Sequence, residues 1–332
     1  MIDKRDRDFS VIIPYFKNLS TIRDALLSVS SQTLPPANTI LVDDGSGDDL
    51  KDICDEFGVT LVVSDTNRGS AIARNSGLKL VNTTYVALLD ADDIWHPCHL
   101  RLHSDLWGRE EENLAAIGTT MKRVKNPMLN SKFLKNLSSD GHNDSILAYP
   151  SNYQMSLNNP FFNSATTFRT LDLISHNGWG QVTPSFSEDY DLLTRFLLSG
   201  KRIGFYDFPT GIYRIQESSK STHYPEIFAA RLKTAQDLHS SKHTNSIRSR
   251  LIWRSTFYYI YFSTLMAISN GRNEYLTLSI VAAENFPLFR FLDSKLQTSL
   301  NWRIFQIFFR PLRLLRMRSI LNLFLRKEVP HE

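Results

Sequence analysis

Apolar and polar positions alternate in blocks along the first ninety residues. Phe9 to Ile13 is apolar except for Ser10 and reads as a strand. Ile22, Ala25, Leu26 and Val29 then recur at helical spacing, with Asn18 or Ser20 placed to cap the helix. Pro35-Pro36 breaks the chain. Thr39 to Val42 reads as a second strand, Thr60 to Ser64 as a third, Ala71 to Leu80 as a short helix and Tyr85 to Leu89 as a fourth strand. Strands alternating with helices at this pitch predict right-handed βαβ units and an α/β fold with a mostly parallel sheet.

Ligands of such sheets bind beyond the carboxyl ends of the strands. Three polar or aromatic clusters fall at that edge: Pro14-Tyr15-Phe16, Asp43-Asp44-Gly45-Ser46 and Asp90-Ala91-Asp92-Asp93. The last is the most informative. Carboxylates crowded at a strand end repel one another unless a cation neutralises them, and oxygen-only ligands suit Mg²⁺ or Mn²⁺. Those ions commonly accompany a diphosphate, so the cluster suggests an enzyme that handles a nucleotide-diphosphate compound. An acidic loop without a ligand is the plainer alternative. A dinucleotide-binding dehydrogenase is not indicated, because Pro14-Tyr15-Phe16-Lys17-Asn18 has no glycine where Gly-x-Gly-x-x-Gly would follow the first strand.

Beyond residue 110 the pattern loosens. Residues 110–185 are rich in Asn and Ser, as expected of loops around an acceptor pocket. Glu188-Asp189-Tyr190-Asp191 opens a helical stretch, Leu192 to Ser199, which Gly200 ends; Arg202 to Tyr206 reads as a strand. From about residue 224 the pattern is helical. These shifts predict a catalytic domain over 1–222 and a helical C-terminal region over 223–332. Within the domain, a regular half covers about 8–108 and a looser half about 109–222.

Composition narrows the setting. Of 332 residues, 42% are hydrophobic and 22% charged, which places the chain among ordinary globular proteins. Cys54 and Cys98 give no disulfide framework and fit a reducing compartment. The charged N-terminus, Met1 to Asp8, does not read as a secretory signal. Ser255 to Ser269, the nearest candidate for a membrane span, is too short and reads as a buried helix. A cytoplasmic location is therefore expected. The net charge is +4, but residues 301–327 hold seven basic residues and no acidic one, which leaves −3 for the rest. Arg303, Gln306, Arg310, Arg313 and Arg316 recur every three or four residues among Ile304, Phe305, Phe308, Leu312 and Leu315. Such a basic amphipathic stretch fits an anionic membrane surface, with a partner helix as the alternative. Its Phe and Leu content argues against nucleic acid. The expected location is therefore peripheral, at the inner face of the cell membrane.

Several motifs stand in order along the chain: Ser10-Val11-Ile12-Ile13-Pro14-Tyr15-Phe16, Val42-Asp43-Asp44-Gly45-Ser46, Asn67-Arg68-Gly69, Ala73-Arg74-Asn75-Ser76-Gly77, Asp90-Ala91-Asp92-Asp93, Glu188-Asp189 and Tyr213-Arg214. Each alone is weak. Together, over roughly residues 8–222, they resemble the family 2 inverting glycosyltransferases of the GT-A fold. That resemblance implies a Rossmann-like sheet, a UDP-, GDP- or dTDP-sugar donor, Mg²⁺ or Mn²⁺, and transfer to an acceptor hydroxyl with inversion. It also implies that the regular half, about 8–108, is a nucleotide-sugar half and the looser half, about 109–222, an acceptor half. It points to cell-surface polysaccharide, lipopolysaccharide or another lipid-linked glycan as the setting.

The resemblance also assigns roles. Pro14 and Phe16 fall where the donor base is held, Phe16 as a flat ring against it; core packing is the alternative for Phe16. Asp44 matches the carboxylate that accepts from a base N–H, or else serves the Asp-Gly turn. Arg74 and Asn75 match the segment lining the donor pocket, unless they occupy a solvated helix face. Asp92 is the foremost metal ligand, with Asp90 assisting through the metal, its water or the ribose, and Asp93 behind them. Asp189 matches the base that deprotonates the acceptor, with Glu188 orienting; charging a helix N-terminus is the alternative. Trp179 offers a sugar platform or a core residue.

One departure stands out. Relatives often carry a His two residues after Tyr-Arg, where this chain has Gln216. An amide oxygen is a neutral, weak ligand, so the third protein ligand is in doubt. A member that binds nucleotide or glycan without turnover, as a scaffold in a synthase complex, is therefore the alternative function. His96, Cys98, His99 and His103 cluster nearby with zinc-like spacing, but no second Cys supports a zinc site.

Overall fold

The computed structural model describes residues 8–109, 113–125, 161–180 and 187–215, with a few helical positions between 227 and 237. The chain divides into two compact units, Met1–Arg272 and Asn273–Glu332, and the described residues all belong to the first. Gln216 and the basic tail 301–327 lie outside the described residues.

The strands are β1 (Phe9–Tyr15), β2 (Asn38–Asp43), β3 (Thr60–Val63), β4 (Tyr85–Leu88), β5 (Ile94–Trp95), β6 (Leu114–Lys125), β7 (Thr166–Arg169) and β8 (Arg202–Ile215). They form one sheet in the order β3-β2-β1-β4-β7-β6-β8-β5. The helices are α1 (Leu19–Ser30), α2 (Lys51–Phe57), α3 (Ser70–Leu78), α4 (His99–Arg109), α5 (Thr170–Ser175) and α6 (Glu188–Leu198). Neighbours from β3 through β4 pair in parallel, as β6 does with β8, while β7 runs antiparallel to both β4 and β6.

β1 anchors the sheet because every one of its seven residues is buried. Side chains alternate across a strand, so Phe9, Val11, Ile13 and Tyr15 join Ile22, Ala25, Leu26 and Val29 of α1 in one core. Ile12 joins Ile40, Val42, Ala71 and Ala73 in the core on the opposite face. Burial of each such aliphatic side chain contributes about 1.5–3 kcal/mol. Helix α3 comes close to β1 at Gly77, where an added Cβ would stand 2.8 Å from Ile12 Cγ2.

The capping expectation needs correction. Asn18 occupies the N-cap of α1, but neither its side chain nor that of Ser20 closes the turn; its carbonyl accepts from the Thr21 and Ile22 N–H groups and the Thr21 hydroxyl. Helix α2 had no periodic signal because only Cys54 among its residues is buried. The strand expected over Arg202 to Tyr206 continues to Ile215. Pro209 and Gly211 interrupt its pattern, and the pairing with β6 shifts register around Thr120, opposite Pro209.

His99 and His103 are fully buried core residues. Their Nδ1 atoms bond the hydroxyls of Thr210 (2.8 Å) and Thr167 (2.9 Å); the His99 ring stacks on Trp95 and meets the His103 ring at a tilt of 43°. Burial drives the His103 imidazole down to about 3, and burial with the neighbouring His103 drives His99 well below its ordinary range. Among the described residues, no three acids, histidines or cysteines stand together as a metal cage. No described helix is long and apolar enough to cross a membrane.

Candidate active site

The carboxyl ends of β1, β2 and β4 meet the start of α6 around a cavity of about 740 Å³. Pro14 and Phe16 line it from the β1–α1 turn, Asp44 from the end of β2, and Ser70 and Arg74 from α3. Asp90, Asp92, Asn163, Glu188 and Tyr213 close the other side. A second hollow of about 400 Å³ lies behind the Asp43–Gly47 turn. It reaches neither the acidic loop nor α6, so we place the site in the larger cavity.

Phe16 is 39% exposed, which rules out the core-packing alternative and leaves a ring face available at the rim. Asp44 is buried, and its carboxylate accepts from the Arg68 N–H (2.9 Å) and the Gly69 N–H (2.7 Å). It thus ties the end of β2 to the loop that starts α3. Each oxygen keeps a second lone pair, so this duty is compatible with a contact to a ligand. The turn depends on Gly45, whose φ is +71° and whose position would put a Cβ 2.5 Å from the Thr66 carbonyl carbon.

Arg74 is the hub. It is 2% exposed, and it donates through Nη1 to Glu188 Oε1 (2.9 Å) and through Nη2 to Asp90 Oδ1 (2.8 Å). Burial works against its charge, but the two carboxylates outweigh burial and hold the guanidinium more firmly protonated than usual. Ser70 Oγ adds a 2.8 Å bond to the same Glu188 oxygen. Burial would raise the Glu188 carboxyl; Arg74 and these donors hold it below the usual range instead. Asn75 points elsewhere. Its amide donates to the Trp179 carbonyl (2.8 Å) and accepts from the Trp179 N–H (2.9 Å), and it does not line the cavity. Trp179 itself is buried at 1% exposure and packs edge-on against Phe168, so it is a core residue and not a sugar platform.

The three acids of the β4 loop separate by environment. Asp93 is buried, with Oδ2 accepting from Ser164 Oγ at 2.5 Å and Oδ1 from the Arg214 N–H at 3.0 Å. Burial and the charges of Asp92 and Asp90 push its carboxyl well up. Asp90 gives one oxygen to Arg74, while its N–H donates to Ser164 Oγ (3.0 Å). Asp92 lines the cavity, and burial together with the Asp90 charge lifts its carboxyl to about 6. Two carboxylates, Asp92 and the remaining oxygen of Asp90, are thus left for a ligand. That set fits Mg²⁺ or Mn²⁺ bound by one or two carboxylates together with substrate phosphate oxygens, and not a closed all-protein cage.

Asp189 follows Glu188 at the start of α6 but does not line the cavity. Its Oδ1 accepts from the Tyr190 N–H at 2.7 Å, and burial together with the Glu188 charge raises its carboxyl. Two holding residues had no assigned role in the sequence. Ser164 bonds both Asp93 and the Asp90 backbone, and its carbonyl accepts from the Trp95 indole. Arg214 donates from Nε to the Asp92 carbonyl (2.8 Å) and from Nη2 to Asp24 (2.8 Å). The Tyr213-Arg214 motif pointed at the second; Ser164 sits unmarked in an Asn/Ser-rich stretch.

A parallel sheet whose carboxyl edge gathers an exposed ring, an aspartate turn and an acidic loop around one cavity defines a nucleotide-sugar transferase type of domain. Residues 10–171 match the model of glycosyl transferase family 2, and over that stretch the chain is a family 2 domain with the GT-A fold. It is 34% identical over 114 residues to the amylovoran biosynthesis glycosyltransferase AmsB of Erwinia amylovora, a match that covers 32% of this chain and 38% of AmsB. The chain spans well under half the length of the curated relatives it matches. Its fold is similar to S. aureus TarS 1–349 (TM-score 0.53, 18% identity, 77% of this chain and 72% of that one). It is also similar to the mannosyltransferase PcManGT from Pyrobaculum calidifontis in complex with GDP-Man and Mn²⁺ (TM-score 0.52, 15% identity, 83% and 84%).

Proposed function

We propose that this protein is an inverting glycosyltransferase. It moves a sugar from a UDP-, GDP- or dTDP-sugar to an acceptor hydroxyl in cell-surface polysaccharide or lipid-linked glycan synthesis. The observation that carries this reading is the single cavity with Phe16 and Asp44 at one end and Asp90, Asp92 and Glu188 at the other. Relatives point the same way: AmsB is named for amylovoran biosynthesis, and PcManGT was captured with GDP-Man and Mn²⁺.

In this reading Phe16 stacks on the base, while Pro14 and Asp44 shape the base pocket. Asp92 and the Asp90 oxygen that Arg74 leaves unbonded would hold Mg²⁺ or Mn²⁺. Bound there, the ion supplies charge stabilisation to the departing diphosphate. Arg74 fixes the free Asp90 oxygen by holding its partner, and it locks Glu188 at the same time. Asp189, which stands next to Glu188 but outside the cavity lining, takes the acceptor proton from an acceptor bound beyond the donor. Its raised carboxyl makes it a better proton acceptor than an exposed aspartate, since Brønsted matching favours a base nearer the working pH. Inversion needs no nucleophilic side chain.

The basic tail would hold the protein at an anionic membrane, where lipid-linked acceptors reside. The full chain incubated with Mn²⁺ and a panel of nucleotide sugars should release nucleotide from at least one of them. Nucleotide binding without release by any donor and acceptor pair would favour the scaffold alternative instead. Asp189→Asn should lower kcat by about 10²–10⁴ with donor binding intact; full activity would remove the base assignment.

A further inference from the structure

We propose that the cavity wall formed by the ends of β6 and β8 is an acceptor subsite for a sugar bearing an oxyanion, either the carboxylate of a uronic acid or a phosphate. The proposal rests on the reading of the cavity as a donor site, and extends it to what stands opposite the donor.

Tyr213 and Asn163 line the cavity, and Phe162 precedes Asn163 in the chain. The rings of Phe162 and Tyr213 approach at 5.6 Å between centroids. Arg123, the register partner of Tyr213 across the parallel β6–β8 pair, sets its guanidinium over both rings, 5.5 Å from Phe162 and 5.8 Å from Tyr213. Rings hold a guanidinium in place through its face and leave its edge N–H groups free to donate. Among the described residues no carboxylate pairs with Arg123 or with Lys125. The pairing of β6 with β8 is regular from Lys122 to Lys125, so Lys125 projects from the same side of the strand two residues further on. Both side chains are exposed, and β6 carries no acidic residue.

The contrast with the other arginines of the site supports this. Arg74 is saturated by Asp90 and Glu188, and Arg214 by Asp24 and the Asp92 carbonyl. Among the described residues, Arg123 alone of the three is oriented by rings and has no carboxylate partner. An oriented, unneutralised guanidinium beside an aromatic wall matches a sugar whose ring face lies on Tyr213 and whose anionic group meets the N–H edge.

The test uses the full chain saturated with UDP and Mn²⁺, so that the donor site cannot capture the probes. Binding of methyl glucuronide, glucose 6-phosphate and methyl glucoside is compared by saturation-transfer NMR and titration at low ionic strength. At least one charged sugar should bind roughly tenfold or more tightly than the neutral one, the size of one charge-assisted hydrogen bond. The two charged probes separate carboxylate from phosphate recognition. Arg123→Ala should erase the preference, Lys125→Ala should reduce it, and Arg123→Lys should keep part of it, with UDP affinity and melting temperature unchanged. Charge-blind binding, or a preference that survives Arg123→Ala, overturns the proposal. So does loss of binding to phosphatidylglycerol vesicles in Arg123→Ala with sugar preference intact, which would assign the wall to lipid. Failure of UDP to bind counts against the donor-site reading and not this one, because the sugar titrations can then be read in its absence.

Discussion

The two halves of the described domain hold their site residues by different means. In the first half, β1 to β4 with α1 to α3, each candidate residue sits at the end of a strand or the start of the next helix. Its position follows from the strand: Pro14 and Phe16 from β1, Asp44 from β2, Asp90 and Asp92 from β4. In the second half, residues distant in sequence meet through side chains. Glu188 reaches Arg74 114 positions away, the Arg214 N–H reaches Asp93 across 121, and Ser164 reaches Asp93 across 71. The first half thus builds much of the cavity from a regular sheet, and the second half clamps onto it through a few polar bonds. The clamp is where the molecule is most sensitive to single substitutions.

The largest effect is expected at the joint itself. Arg74→Ala leaves Glu188 and one oxygen of Asp90 without their counter-charge in a nearly closed site. Breaking a buried pair by removing one partner costs about 3–5 kcal/mol. A chemical denaturation midpoint and nucleotide release should fall together. Arg74→Met tests the comparison more finely, because it keeps most of the packing volume: a stable Arg74→Met protein would show that the halves cohere by packing, not by this charge.

Next comes Ser164→Ala. It removes the buried donor to Asp93 and the part-buried acceptor for the Asp90 N–H, at a cost of about 1–3 kcal/mol. Because Asp90 and Asp93 flank Asp92, the apparent Mn²⁺ requirement for nucleotide release should rise while kcat at saturating Mn²⁺ changes less. An unaltered metal dependence would mean that the loop keeps its shape without Ser164.

The same contrast explains what the sequence revealed. Periodicity located β1, β2, β4, α1 and α3 because each buries apolar residues at regular spacing, and β3 through its run of Leu61, Val62 and Val63, although none of its residues is buried. The rule that ligands bind beyond strand ends then found the clusters at Phe16, Asp44 and Asp90–Asp93. Helix α2 was invisible, since it buries only Cys54. The strands β5 to β7 escaped for a different reason: their partners lie far away in sequence, and nothing local to Asn163-Ser164 announces that Ser164 bonds Asp93. Asn75 misled because it lies next to Arg74 in sequence, yet consecutive residues on a helix face different ways; Arg74 turns to the cavity and Asn75 to the Trp179 backbone.

The histidine stack offers a pH test of the second half. His99 and His103 belong to α4 but bond Thr210 of β8 and Thr167 of β7. Both are held neutral, with folded-state values depressed by burial, His103 to about 3. Below the ordinary imidazole range the unfolded chain takes up protons that the native state refuses. Stability is thus fully present above about pH 6.5 and falls as pH drops towards 3, by up to about 1.4 kcal/mol per pH unit for each histidine. Raised carboxyls such as Asp92 and Asp93 act in the opposite direction, so the comparison must be between wild type and His103→Phe. On going from pH 7.5 to 5.5 the urea midpoint of the variant should rise relative to that of the wild type. Equal pH dependence in the two proteins would mean that His103 is not held neutral.

The smallest stability effect belongs to Phe16, in the first half. Its ring stands at the rim, 39% exposed, with Lys17 Nζ 5.3 Å from the ring centroid, so truncation leaves little of a hole. Phe16→Ala should change folding stability by less than about 0.5 kcal/mol, the usual range for surface positions. If the ring stacks on the donor base, UDP or GDP affinity in the presence of Mn²⁺ should nevertheless drop by roughly 3- to 10-fold, the scale of an aromatic stacking contact. Phe16→Tyr should preserve it. The opposite pattern, lost stability with unchanged nucleotide affinity, would return Phe16 to the packing role that its exposure argues against, and would leave Asp44 as the principal candidate for recognising the base.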